Sequence, residues 1–243
     1  MSRIHRAYLP ELPSPGQVLD LQGDTAHHLG RVLRVRPGER VVLFDGHGAG
    51  ISSEVLEVNK RLVRVEAGAF EPCEPRAAVR IQRAVGLPDR KRAQRLVEAL
   101  GELGVERLIP LASERAEEGL RSDLLERWAL ESAKQSGRNT LLQVAEPVTP
   151  AELSLSPGVE GWVADPESGA WVAERFAGPP PAELVVAVGP PGGFTPAERD
   201  GLVDRGFRAL RLGPYVLRVE TAAVAAVACA VAAWPGVDGA ADA

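Results

Sequence analysis

Two glycine-bearing loops near the carboxyl terminus hold the residues best placed for chemistry. Gly189-Pro190-Pro191-Gly192-Gly193 presents bare backbone after the apolar run Leu184–Val188, and Leu212-Gly213 through Arg218 follows a second apolar run, Phe207–Leu212. Proline lacks a backbone donor and glycine takes φ > 0 readily, so neither stretch continues a strand or a helix. Two basic sets stand further upstream. His27, His28, Arg31 and Arg34 recur at helix-like spacing, and Arg90, Lys91, Arg92 and Arg95 crowd one helix start. A helix amino terminus is electrostatically the wrong place for cations, so the second set suggests a phosphate partner. For both sets a solvated helix face is the competing reading. His27 and His28 do not read as metal ligands, because adjacent helical side chains point about 100° apart and no carboxylate or cysteine pattern accompanies them.

The elements that must position these residues can be read from periodicity. Leu184–Val188 is a short uninterrupted apolar run, the signature of a strand buried on both faces of a parallel sheet. Thr195 as N-cap, Pro196 at the first helical position and Glu198 closing a capping box predict a helix that stops at Gly206. The alanine-rich segment Thr221–Ala233 predicts another. Neighbouring strands that end in loops of low bulk form the crevice where open α/β sheets bind ligands. Spacing alone also allows two ordinary βα turns, since glycine is common there.

Upstream, Val79–Val85 reads as a strand. Asp89 caps a helix with Ala93, Leu96, Val97, Leu100 and Leu103 on one face, Gly104 stops it, and Glu106–Leu111 is a strand again, which makes a βαβ unit. A helix capped by Ser122 turns Leu124, Leu125, Trp128 and either Ala129 or Ser132 inward, and Gly161–Asp165 is a further strand. Residues 1–70 read as a small β domain with strands at Val18–Leu21, Arg40–Phe44, Gly50–Val58 and Leu62–Glu66, and one short basic-faced helix within 24–35. A proline-marked connection over 70–80 separates it from a second domain, 76–236.

The chain has 243 residues, 45% of them apolar, which is ample for a core. The net charge of −5 is unevenly spread. Residues 1–70 carry nine Lys+Arg against eight Asp+Glu and all four histidines, whereas residues 141–243 carry six against thirteen. A polyanion is therefore expected at the amino-terminal half or at the basic run near residue 90. The sequence shows no span suited to a bilayer and no apolar central region at its start, so a cytoplasmic protein without membrane contact is expected. Cys73 and Cys229 stand far apart without partner motifs, and neither a disulfide framework nor a metal site is expected.

GPPGGFTPAE at 189–198, followed by LGPYVLRVETA at 212–222, closely resembles the paired motifs of the RsmE-type 16S rRNA uridine-N3 methyltransferases of the SPOUT superfamily. HHLGRVLRVRPGERVVLFDGHG at 27–48, ELGV at 102–105, SER at 113–115 and ESAKQSGR at 131–138 add to the match. The resemblance implies an α/β fold: a SPOUT-type parallel sheet whose carboxyl-terminal segment forms a trefoil knot, preceded by a small PUA-like β-barrel that holds RNA. It implies S-adenosylmethionine bound by Ala164, Val188, Gly189, Gly192, Gly193, Leu212, Gly213 and Leu217, and RNA held by His28, Arg31, Arg34, Arg90 and Arg92. The partners it implies are 16S rRNA within the 30S subunit and a second copy of the chain. The second copy would dock on Ala222–Trp234, where a helix apolar nearly all round must be buried. Pro191 stands where the family commonly has glutamate in GPEGG, and Pro214, Tyr215 and Val216 occupy the middle of the family's LGxRILR.

Methylating N3 of uridine removes an imide proton and spreads negative charge onto O2 and O4. A planar guanidinium suits that anion, which makes Arg218 the first catalytic candidate. Glu220 is either a proton acceptor or the group that holds Arg218. The structural role is favoured, because a carboxylate near its usual pKa of about 4.3 is a poor base for such a proton. A non-catalytic RNA-binding assembly factor is the alternative. A phosphate-binding α/β enzyme fares worst, since Pro190 and Pro191 remove two amide donors and no P-loop lysine follows.

Overall fold

The computed structural model describes residues 4–72, 78–117, 119–167 and 169–236. They divide into two compact units, one of residues up to 72 together with 133–141, the other of 78–132 together with 142–236. Cys73 and the expected boundary at 76 lie outside the described residues.

The first unit is a five-stranded sheet of β1 (His5–Tyr8), β2 (Val18–Gln22), β3 (Arg40–Phe44), β4 (Gly50–Val58) and β5 (Leu62–Phe70), in the order β1-β3-β4-β5-β2. Alternation explains its core: Val41, Leu43, Ile51, Val55, Val63 and Val65 are buried and pack on Leu29 and Ala26. Bulges between Ile51 and Ser53 and between Val55 and Glu57 interrupt the β4–β5 ladder and strengthen its twist. Residues 133–141 belong to this unit although they are distant in sequence. Leu141 N–H bonds the Gly46 carbonyl at 2.9 Å, and Arg6 donates to the Asn139 side chain.

The helix expected within 24–35 differs from a simple α-helix. It is α1 (Gly23–His27) running into a π-helical turn, His28–Leu33, and ending on Arg34 in the left-handed region (φ 56°, ψ 44°). The wider π turn changes the angular phase. Val32 therefore faces outward between the exposed Arg31 and Arg34, while Leu29 alone in the turn is fully buried.

The second unit is a seven-stranded, wholly parallel sheet in the order β10-β12-β9-β11-β6-β7-β8. Its strands are β6 (Arg80–Val85), β7 (Arg107–Pro110), β8 (Gln143–Val144), β9 (Val159–Ala164), β10 (Ala170–Trp171), β11 (Glu183–Val188) and β12 (Arg208–Arg211). The expected α/β class with a parallel sheet is borne out. One face packs on α2 (Arg90–Glu102), α3 (Ser122–Ser136) and α6 (Val219–Ala233) through Leu96, Leu125, Val227 and Trp162. The other packs on α5 (Pro196–Asp204) through Leu202 and Phe207. Phe176, which ends the short α4 (Val172–Arg175), meets Trp162 and Trp234 edge to face, each at 4.9 Å between centroids, and the two indoles lie tilted to each other at 6.1 Å. The Trp234 indole N–H bonds the Gly178 carbonyl at 2.9 Å, which anchors the end of α6.

Arg83 on β6 is fully buried, and its guanidinium has no hydrogen-bond partner among the described residues; burial pushes it down to about 9. An uncompensated buried cation costs stability. Arg83→Met is therefore expected to stabilise the fold by about 1–4 kcal/mol in urea titration, as replacing buried charge with apolar volume does elsewhere. A loss of stability would mean that a buried water or ion satisfies the guanidinium.

Candidate active site

Strand order decides where a ligand can sit. β11 lies on one side of β9, while β12, which follows β11 in the chain, lies on the other, so the winding direction reverses at β9. A crevice opens outside the carboxyl ends of the strands at such a reversal. Here it is a cavity of about 680 Å³ at the ends of β9, β11 and β12, within the range of pockets that enclose a cofactor-sized ligand.

Local sequence builds its walls. After β11 the chain turns within Gly189–Gly193, where Gly192 and Gly193 take φ of +97° and +73° and Gly193 N–H bonds the Pro190 carbonyl at 2.8 Å. Gly189 admits no side chain, since a Cβ there would stand 2.7 Å from Phe194 N. Gly86, at the end of β6, is barred in the same way by Pro190 N at 2.5 Å. At Gly213 an added Cβ meets nothing within 4 Å, so that glycine faces open space in the cavity wall. The expected capping box is present: Thr195 Oγ1 accepts from Glu198 N–H at 3.2 Å, and Glu198 accepts from Thr195 N–H at 2.9 Å.

Glu198 does more than cap. Its carboxylate also accepts from Ser113 Oγ and from Glu114 N–H, both at 2.8 Å, while the Arg115 guanidinium donates to the Gly192 carbonyl at 2.8 Å. Residues 113–115, after β7, thus clasp the glycine loop from outside. In the sequence these three residues stand out only as part of a motif. Such a clasp could not be read from it, because the partners lie about eighty positions apart. Burial pushes the Glu198 carboxyl up, but the donors from Glu114, Thr195 and Ser113 outweigh it and hold the group below its ordinary range. A depressed carboxylate contributes stability above its unfolded pKa and loses it as pH falls through the folded value. The stability advantage of the parent over Glu198→Gln, about 1 kcal/mol at neutral pH for bonds to a partly exposed charge, is expected to shrink as pH falls below the ordinary glutamate range and to vanish below the folded value, read by thermal melts.

All eight residues expected to hold the cofactor line this one cavity: Ala164 at the end of β9, Val188, Gly189, Gly192 and Gly193 at the end of β11, and Leu212, Gly213 and Leu217 after β12. A family model described as an RNA methyltransferase domain matches residues 75–231, and one described as an RNA methyltransferase PUA domain matches residues 21–67. The chain belongs to the RNA methyltransferase family.

Within that family the chain is 29% identical over 236 residues to the ribosomal RNA small subunit methyltransferase E of Mycobacterium bovis, covering 90% of this chain and 88% of that one. It is 30% identical over 215 residues to the protein of the same name from Synechocystis, covering 83% and 69%. Among solved structures it superposes on a ribosomal RNA small subunit methyltransferase E from Neisseria gonorrhoeae bound to S-adenosyl methionine, with TM-score 0.88 and 28% identity over 95% of this chain and 98% of that one.

The polar residues of this RNA methyltransferase fall into place unevenly. Arg218 is exposed on the cavity wall as the residue that precedes α6, and it has no ion-pair partner among the described residues. Glu220 does not hold it, contrary to the structural role expected. Two residues apart at a helix start, the side chains point away from each other, and Glu220 faces Arg92 at 3.8 Å instead. Arg92, expected to hold RNA, stands at the site itself. It lines the cavity and bonds Asp89, the N-cap of α2, so one guanidinium joins α2 to α6 beside the site. Arg90, Arg31 and Arg34 are exposed, and His28 is half-buried. Among the described residues no cluster of metal-ligating side chains and no helix long and apolar enough to cross a membrane is present.

Proposed function

We propose that this chain transfers a methyl group from S-adenosylmethionine to N3 of a uridine in 16S rRNA. The observation that carries the reading is the convergence of the two βα loops on one cavity with the unpaired Arg218 on its wall. Family membership and the S-adenosyl methionine in the Neisseria relative support the cofactor. The names of the curated relatives support ribosomal RNA of the small subunit as substrate. The motif match supports uridine N3.

The cavity fits such a cofactor: glycine backbone, prolines and apolar side chains make much of its wall, Asp165 and Glu167 stand among them, and the open space at Gly213 leaves room against the backbone. Gly189, Gly192, Gly193, Leu212, Gly213 and Leu217 would hold it, with Ala164 and Val188 as the floor. When bound, it supplies an electrophilic methyl on a sulfonium. The chain's own work is to orient the base and stabilise the charge it develops. Arg218 donates to a carbonyl oxygen of the uridine as N3 gives its proton to solvent water and the N3–methyl bond replaces the sulfonium–methyl bond, and the clasp of Ser113, Glu114 and Arg115 on the glycine loop keeps the cavity wall from shifting. Glu220 keeps Arg92 in place across the two helices.

The division of labour belongs to the same proposal, with residues 1–70 holding RNA and residues 76–236 carrying the transfer. So does a carboxyl-terminal trefoil knot, supported by the return of β12 across β9 after β11. A homodimer built on the half-buried outer side of α6, at Val224, Ala225, Ala228 and Val231, acts in the cytoplasm on the 30S subunit. Light scattering at micromolar concentration tests the dimer. Calorimetric titration with S-adenosylmethionine tests the central step: binding without added metal or nucleotide is expected, and no binding would leave only an RNA-binding assembly factor.

A further inference from the structure

Tyr215 and Val216 are the most exposed large apolar side chains described, at 79% and 83%. Both line the cavity, in the loop between β12 and α6, only a few residues before Arg218. The Tyr215 ring stacks on no other ring among the described residues, and no hydrogen bond engages its hydroxyl there. An aromatic ring left open to water at the rim of a site is a cost that a ligand would remove.

We infer that Tyr215 is the stacking platform for the base that enters the site, with Val216 as the apolar shoulder beside it. This rests on the proposed reaction and adds a positioning residue to it. N3 lies on the pairing edge of uridine, so the base must be unpaired and must enter that edge first. Both flat faces of the ring are then stripped of their neighbours. RNA modules meet that need by stacking splayed bases on aromatic side chains. Charge is compatible with the same occupant: Arg218 and Arg115 line the cavity around the loop, with Asp165 and Glu167 also on its wall, and the two guanidiniums complement the phosphates on either side of an extruded nucleotide. Tyr215 stands at the position where the resembling family commonly has arginine. The platform is thus a feature of this chain, and the hydroxyl is incidental to it.

The experiment compares the parent with Tyr215→Ala and Tyr215→Phe in three measurements. These are KM for 16S rRNA in the transfer assay, cofactor affinity by calorimetry, and quenching of a fluorescent pyrimidine analogue, pyrrolocytidine, in the loop of an RNA hairpin. Tyr215→Ala is expected to raise KM about 10- to 100-fold, the usual effect of losing one base–aromatic stack, and to abolish the quenching. Tyr215→Phe is expected to restore both, with cofactor affinity unchanged throughout. Unchanged KM and quenching in Tyr215→Ala would overturn the inference. So would parallel loss of cofactor affinity, which would make Tyr215 part of the cofactor wall, or a change of oligomeric state, which would make the patch a contact with a second copy. Quenching reads stacking without any methyl transfer. A parent that quenches but does not transfer therefore overturns the reaction and leaves the platform standing.

Discussion

Arg218→Ala is expected to lower the single-turnover rate of methyl transfer about 10²- to 10³-fold, the effect of losing one preorganised donor at a developing oxyanion. Cofactor affinity should stay nearly unchanged. The geometry separates this outcome from a bracing role. A brace needs a partner, and Arg218 has no ion pair among the described residues and gives no side-chain cap to α6. The carboxylate expected to hold it, Glu220, faces Arg92. A free guanidinium on the wall of an α/β crevice is available to the substrate. Arg218→Lys should recover only part of the rate, because an ammonium offers a point charge where the uridine anion spreads charge over two oxygens. A fall in cofactor affinity and melting temperature alongside the rate would return Arg218 to a structural role.

Reversing charge at Arg31, Arg34 and Arg90 together should weaken RNA binding about 10²-fold at 0.1 M salt. Each phosphate contact to single-stranded RNA contributes about 0.7 to the slope of log affinity against log salt, hence about fivefold at that concentration. The slope itself should fall by about 2. All three side chains are exposed, so the variant should fold. Arg34 also holds a left-handed backbone conformation at the end of the π turn, a strained geometry of the kind that persists where surroundings or ligands fix it. Arg92 is left out of this set because it lines the cavity, held by its hydrogen bond to Asp89 and its ion pair with Glu220. Arg92→Glu should instead disturb cofactor binding. Equal RNA affinity and salt slope in the triple variant and the parent would remove the assignment.

What could be read in advance follows the range of the interactions. The capping box at Thr195 and Glu198, the Asp89 cap and the glycine stops at Gly104 and Gly206 are written within a few residues, and the sequence shows them. So is the apolar run of β11, which must be apolar because both faces of a parallel sheet are covered. The short strands β1, β8 and β10 carry too few residues for a period to register. Contacts across long separations were invisible: the clasp of Arg115 on Gly192, the Glu220–Arg92 pair, and the burial of Arg83, a cation that no pattern rule places inside. Val32 faces outward because a π turn rotates the chain away from the α-helical period.

The most direct measurement incubates the protein with S-adenosylmethionine and unmodified 16S rRNA under single-turnover conditions, then digests the RNA and identifies the methylated nucleoside by mass spectrometry. One 3-methyluridine per RNA chain is predicted, lost in Arg218→Ala. Methyl incorporation at ribose or at a base carbon, or none at all with cofactor bound, would contradict the account.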